Sequence, residues 1–193
     1  MQIRKGLSTD LTRLECCDFS FTISHIAREP FIHCDLHIEA VAEPWIKTYE
    51  LDIQTLENHC VNPDAIFLIA ETDDGEIAGF ITASIGWNKF ISVDYIAVDR
   101  TKRRTGAAQK LMAAAHVWAR SVNAPGLRLE TQNVNVSACL FTATTGLPWA
   151  DTIVISTTPY RKKTKSPCSG ITCWSNGAAF IFLSLNFITL SGF

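Results

Sequence analysis

The feature that most restricts the fold is a change of hydrophobic period at Gly106. Before it lie three apolar runs, AIFLIAET, EIAGFITASI and FISVDYIAV, broken by Asp73-Asp74-Gly75-Glu76 and by Gly86-Trp87-Asn88-Lys89. Runs this short between turn residues predict antiparallel strands joined as hairpins. After it, Ala108, Leu111, Met112, Ala115 and Trp118 recur at three- and four-residue steps, which predicts an amphipathic helix from Gly106 to about Val122. Asn123-Ala124-Pro125-Gly126 ends that helix, and LRLET follows as a fourth strand that must return beside the third by a right-handed crossover. The order β-β-β-α-β predicts an α+β sandwich. Upstream, Leu11 and Leu14 suggest a short helix between Ser8 and Asp18. The stretch from Phe19 to Tyr49, with Pro30 and Pro44, stays open between strands with loops and a helix broken by proline.

With 193 residues, 47% of them hydrophobic, the chain can bury the core of one domain, or of one domain plus a tail. A net charge of −2 argues against nucleic acid as a partner and suits a small or cationic substrate. Seven cysteines without a C-x-x-C pair predict reduced thiols in a cytoplasmic protein. The N-terminus has no apolar segment of the secretory kind. The apolar stretch from Ala178 to Phe193 is shorter than the ~20 residues needed to span a bilayer, so no membrane is expected as a partner.

Where the period changes, the chain reads Arg103-Arg104-Thr105-Gly106-Ala107-Ala108. Small residues there let a ligand approach the backbone, and the first helical N–H groups face outwards with the positive end of the dipole. A pyrophosphate fits such a place, and Arg103 and Arg104 would add charged donors suited to coenzyme A or a nucleotide. The plain alternative is a solvated turn at Lys102 to Arg104 and a glycine that only caps a helix. His33-Cys34 and His59-Cys60 are metal-ligand types, but no four-ligand spacing connects them, so no metal is expected. Trp45 and Trp118 read as core fillers, and Trp87 lies at a turn.

A strand ending in Ile96-Ala97-Val98, then R-x-x-G-x-A, a helix, LRLET, and Asn135 opening a further segment resembles the general (GNAT) N-acetyltransferases, over roughly Ile66 to Leu140. More narrowly, GEIAGFITASIGWN, ISVDYIAV, LRLETQNVNVSAC and the P-x-x-K-x-Y spacing of Pro44 to Tyr49 are similar to streptothricin acetyltransferases. The resemblance implies the GNAT acyl-CoA N-acyltransferase fold, a mixed, mostly antiparallel sheet flanked by helices. It also implies acetyl-coenzyme A as co-substrate and transfer to a primary amine of a cationic antibiotic. A homodimer stays open.

Site residues follow from the same resemblance. The backbone of Ile96, Ala97 and Val98 would pair with the pantetheine arm. Arg103, Arg104, Thr105, Gly106, Ala107 and Ala108 would cradle the pyrophosphate. Asn135 would hydrogen-bond the coenzyme, or cap the next helix. Acetyl transfer needs a neutral amine, a polarised thioester carbonyl and a proton for the thiolate. Asp94, which alternation places opposite Tyr95, is the candidate for taking or relaying the amine proton; the rival reading is a carboxylate that only attracts a cation. Glu130, at the matching place in the next strand, is the second catalytic candidate, or else a buried carboxylate paired with an arginine.

The resemblance stops near Leu140. Its members carry, seven positions after the asparagine, a tyrosine that protonates the thiolate, and a G-F pair shortly after; here the position is Thr142. Reading the third base of each codon with the first two of the next, Phe141-Thr142 forces Tyr or His and Trp149-Ala150 forces Gly. Free choice at degenerate bases admits LYRNYGFAMGGYDRYLY, then KDEIALFWYY from Lys163 to Thr172, with a stop codon allowed at Ser175-Asn176. Both strings resemble the missing C-terminal motifs. The expected organisation is an N-acetyltransferase domain over 1–140, with core motifs in 66–140, and an atypical tail over 141–193 produced by a frameshift, with the last helix and closing strands lost. Beside the transferase stand two further readings: a catalytically impaired acyl-CoA-binding protein, and a structural domain without coenzyme affinity.

Overall fold

The computed structural model describes residues 1–32, 35–144, 152–156 and 170–174. Its main sheet runs in the order β1 (Gln2–Lys5), β4 (Ala65–Glu71), β5 (Ile77–Ile85), β6 (Ile91–Val98), β7 (Leu127–Gln132), β8 (Thr152–Ser156) and β9 (Gly170–Trp174). Pairing is antiparallel except at β6–β7 and β7–β8, which are parallel. The predicted mixed sheet is present, and β7 returns beside β6 as the crossover required. Four helices accompany the strands: α1 (Ser8–Leu14), α2 (Ile53–Val61), α3 (Ala107–Ser121) and α4 (Val136–Thr144).

Strand alternation sorts the core onto two faces. Ile66, Leu68 and Ala70 of β4, with Ala78, Ile81 and Ala83 of β5, pack with Leu111, Met112, Ala115 and Ala119 of α3. The intervening Phe67, Ile69, Ile77 and Phe80 pack with Leu11, Leu14 and Leu56 of α1 and α2. Phe67 and Phe80 are fully buried and meet edge to face at 6.1 Å. Trp118 is half-buried against the α3 side, whereas Trp45 and Trp87 are exposed and do not fill the core.

The open stretch before Tyr49 is a hairpin of β2 (Phe21–Ile32) and β3 (Asp35–Lys47). Its ladder shifts register between Ile23 and His25 and between Arg28 and Ile32, and Pro44 and Pro30 fall in those gaps. Proline has no N–H to give a ladder, which explains why it sits where pairing lapses. The hairpin is tied to the end of β7, with Ala27 N donating to Asn133 O at 3.0 Å and Asn133 Nδ2 to Ala27 O at 3.1 Å.

Past Leu140, α4 runs to Thr144, and β8 and β9 follow β7 in the sheet. Residues 145–151, 157–169 and 175–193 lie outside the described residues, as do His33 and Cys34. Cys16, Cys17, Cys60 and Cys139 are free thiols. No helix among the described residues is long and apolar enough to cross a membrane.

A buried charge network fixes the N-terminus. Asp10, 3% exposed, accepts from Arg4 at 2.7 and 2.8 Å and from Leu7 N at 2.9 Å, while Arg4 also reaches Glu71 at 2.8 Å. Arg4 holds the Asp10 carboxyl at about 2 instead of 3.8. The pairing therefore stabilises the fold fully above pH 3.8 and loses its effect as the pH falls towards 2. Arg4→Met leaves the buried Asp10 carboxylate with Arg13, at 3.0 Å, and with Leu7 N, and should cost about 1–3 kcal/mol in urea unfolding at pH 7, less near pH 3.

Candidate active site

Strand β6 is paired on both sides only at its start. Ile91, Ser92 and Val93 face Leu127, Arg128 and Leu129 of β7; beyond them β6 and β7 have no further pairs among the described residues, while β7 pairs β8 along its other edge. The cause lies at Asp94. Thr82 pairs with Tyr95 and Ala83 with Val93, so Asp94 is the extra residue of a β-bulge. A bulge bends its strand and raises the local twist, which turns β6 away from β7. The β6 edge over Ile96, Ala97 and Val98 therefore has no ladder partner on the β7 side among the described residues. Opposite, Gly79 pairs with Val98, and a Cβ on Gly79 would collide with the Ala97 carbonyl oxygen.

The bulge also corrects the alternation argument. Ile91 and Val93 face α3 before it, and Ile96 and Val98 after it, so parity inverts at Asp94. Asp94 and Tyr95 therefore do not oppose each other; both line a cleft of about 460 Å³ on the α2 side, with Thr55, Asn58, His59, Asn62 and Ser84. Asp94 Oδ2 accepts from Ser84 Oγ and meets His59 Nε2, each at 2.8 Å. His59 Nδ1 is 2.7 Å from the Thr55 carbonyl oxygen. The Asp94 carboxylate raises the His59 pKa above its ordinary 6.5.

The segment leading into α3 is built from short internal ties. Asp99 accepts from Thr101 N at 2.8 Å and from Asp18 N at 2.8 Å, and Thr105 Oγ1 donates to Lys102 O at 2.7 Å. Arg104 and Gly106 both take positive φ, 67° and 86°. Gly106 is the N-cap and has no side chain to satisfy the helix. The first helical N–H accounted for is that of Lys110, which donates to Gly106 O at 3.0 Å. The N–H groups before it have no carbonyl one turn back. A Cβ on Gly106 would meet nothing within 4 Å, so the space beside the N-cap is open.

The model of the acetyltransferase (GNAT) family matches residues 23–146. The chain belongs to that family. It is 42% identical over 66 residues to a streptothricin acetyltransferase of Escherichia coli, covering 34% of this chain and 38% of that protein. It is 32% identical over 105 residues to streptothricin acetyltransferase A of Bacillus subtilis (strain 168), covering 54% and 60%. The matches thus span less than two thirds of these relatives' length. Among solved structures, a protein assigned as a streptothricin acetyltransferase from Bacillus anthracis str. Ames, in complex with acetyl coenzyme A, superposes with TM-score 0.66 at 30% identity over 79% of this chain and 84% of that one.

Within the GNAT fold the sequence-predicted residues separate. Asp94 lines the α2-side cleft, Ile96 to Val98 form the end of β6, and Arg104-Thr105-Gly106-Ala107-Ala108 lead into α3. Arg103 does not present its charge as expected: Nε donates to Val98 O at 3.2 Å and Nη2 to Ser20 O at 2.6 Å, so it braces the backbone. Burial lowers its pKa. Asn135 caps α4, its side-chain oxygen accepting from Ala138 N at 3.1 Å. Glu130 is exposed on β7 and outside the Asp94 cleft, so the reading of it as a buried carboxylate does not hold. Thr142 is buried, with Oγ1 donating back to Ala138 O and Cys139 O.

Three residues to which the sequence assigns no site role stand out. His59, set aside there as a metal-ligand type, is the partner of Asp94; no group of three metal-ligating side chains exists among the described residues. Lys47 Nζ and Tyr49 Oη both donate to Gln132 Oε1, at 2.6 and 2.7 Å, over the end of β7. Burial lowers the Lys47 pKa and raises that of Tyr49 to about 12.

Proposed function

We propose that this chain is an acetyl-coenzyme A-dependent N-acetyltransferase that acetylates a primary amine of a streptothricin-like cationic antibiotic. The observation that carries the reading is the β6 edge at Ile96 to Val98, which has no β7 partner among the described residues and is followed in the chain by the uncapped N–H groups at the start of α3. The residues fit a phosphorylated, amide-bearing coenzyme: a strand edge for its amides, and open donors at a glycine N-cap for its diphosphate. Bound there, the coenzyme supplies an acetyl thioester. The chain's own residues hold it along Ile96 to Val98 and at Thr105 to Ala108, and keep the acceptor on the α2 side of the sheet. Asp94, at the β6 bulge, receives the acceptor's ammonium and orients its nitrogen towards the β6 edge. The polar cleft wall of Thr55, Asn58, Asn62 and Ser84 suits an acceptor rich in hydroxyl and amide groups. This antibiotic class comes from the named relatives, and the polar, carboxylate-bearing cleft agrees with it.

The test is calorimetric titration of the 193-residue chain with acetyl-coenzyme A, then addition of streptothricin with thiol release followed. Binding with release is the expected result. Binding without release would favour the impaired acyl-CoA-binding protein, and no binding would overturn both.

A further inference from the structure

Each nitrogen of the His59 ring faces an acceptor. The Thr55 carbonyl can only accept, so Nδ1 carries a proton. The Asp94 carboxylate accepts as well, so Nε2 carries one too. Before an acceptor binds, His59 is then an imidazolium, and with Asp94 it forms a neutral pair. Asp94 Oδ2 is occupied by His59 and Ser84, while Oδ1 takes no hydrogen bond among the described residues. Of the charged groups on the elements packed against α2, Asp10 of α1 and Glu71 of β4 are spent on Arg4 and Arg13. That leaves Asp94 as the charge acting on the ring, with the Tyr95 phenol the other titratable group lining the cleft.

Resting on the acceptor role given to this cleft above, we propose that His59 is the specificity-determining partner of Asp94, and that a primary ammonium binds Asp94 in exchange for the Nε2 proton of His59. An ammonium at Oδ1 and an imidazolium at Oδ2 would place two cations on one carboxylate, and the ring is the one that can discharge. The balance is simple: the His59 Nε2–H bond breaks, the proton leaves to solvent, the ring keeps Nδ1–H towards Thr55, and the ammonium takes over the ion pair. The cleft then favours a cationic amine over a neutral one of the same shape, since only a cation replaces the lost charge. It also leaves a neutral imidazole next to the bound ammonium.

The exchange has a readout that needs no turnover. Streptothricin binding to the full chain is measured calorimetrically between pH 5.5 and 7.5, in buffers of different ionisation enthalpy, for wild type and His59→Gln. Over this range a primary amine stays charged. In wild type we expect up to one proton released per ammonium bound at the low end, and affinity that falls about tenfold per pH unit on the acid side of the His59 titration. His59→Gln keeps a donor for Asp94 without a titrating proton, and should release none and show a flat affinity. Streptothricin binding in wild type without proton release, or an equal pH slope in His59→Gln, overturns the proposal and leaves acetyl transfer standing. Proton-linked binding without thiol release supports the exchange while removing the transferase reading, and no streptothricin binding at any pH overturns both.

Discussion

Gly106→Glu is expected to weaken acetyl-coenzyme A binding at least a hundredfold in calorimetric titration, about 2.8 kcal/mol, with the fold retained. Two effects combine. A non-glycine residue at φ 86° is strained, at a cost of about 1–3 kcal/mol of stability. The larger effect is electrostatic. The space around Gly106 is open, so the new side chain fits, and its carboxylate is drawn to the same N–H groups and dipole end that would hold the diphosphate. It fills the cradle and repels what should enter. Gly106→Ala separates the two: it carries the strain without the charge, and should lose a similar amount of stability but much less affinity. Arg103 is a poor choice for this test, because its guanidinium ties Ser20 O and Val98 O, and its loss would disturb the β6 end and β2 start together. Unchanged coenzyme affinity in Gly106→Glu would mean that the glycine only caps α3, and the structural-domain reading would take over.

The same region shows why part of the molecule could be read from sequence. The β4–β5–β6–α3–β7 order was legible because each apolar run is bounded by turn residues and the period changes abruptly at one glycine. The hairpin β2–β3 was not, because its prolines sit in lapses of the ladder and interrupt the alternation a strand should show. Helix α2 was missed for a different reason: Leu56 is its one buried residue, so the apolar stripe is almost absent. A polar stripe was there to be found. Thr55, Asn58, His59 and Asn62 stand at i, i+3, i+4 and i+7, and all of them line the Asp94 cleft. What no local pattern could supply is the pairing itself, since His59 and Asp94 are 35 residues apart. The bulge was equally invisible, and it put Tyr95 on the same face as Asp94 instead of the opposite one. Arg103 illustrates the converse: its charge was plain in the sequence, while the two carbonyls that consume it belong to distant backbone.

Restoring the other reading frame after Leu140 should raise thiol release by about two to four orders of magnitude over the 193-residue chain, the range that a positioned acid or base contributes. We propose that the text from position 141 is a frameshift product. The structure carries α4 through its Asn135 cap and the buried Cys139, within the stretch similar to the family. At position 142 the side chain is a threonine whose hydroxyl is turned back onto its own helix, donating to Ala138 O and Cys139 O, so it is not directed at a ligand. The alternative frame allows a tyrosine in that place. The present text also ends in AAFIFLSLNFITLSGF, without one charged residue, a composition that invites aggregation and no family motif explains. The gene's nucleotide sequence decides first: bases that do not encode the tyrosine and glycines in the second frame end the idea. If they do, the restored chain and Thr142→Tyr in the present chain are assayed together. A large gain only in the restored chain assigns the loss to the closing elements. A gain in both assigns it to the missing hydroxyl, and equal rates in all three would show that neither matters and that the protein transfers acetyl groups without an acid at this position.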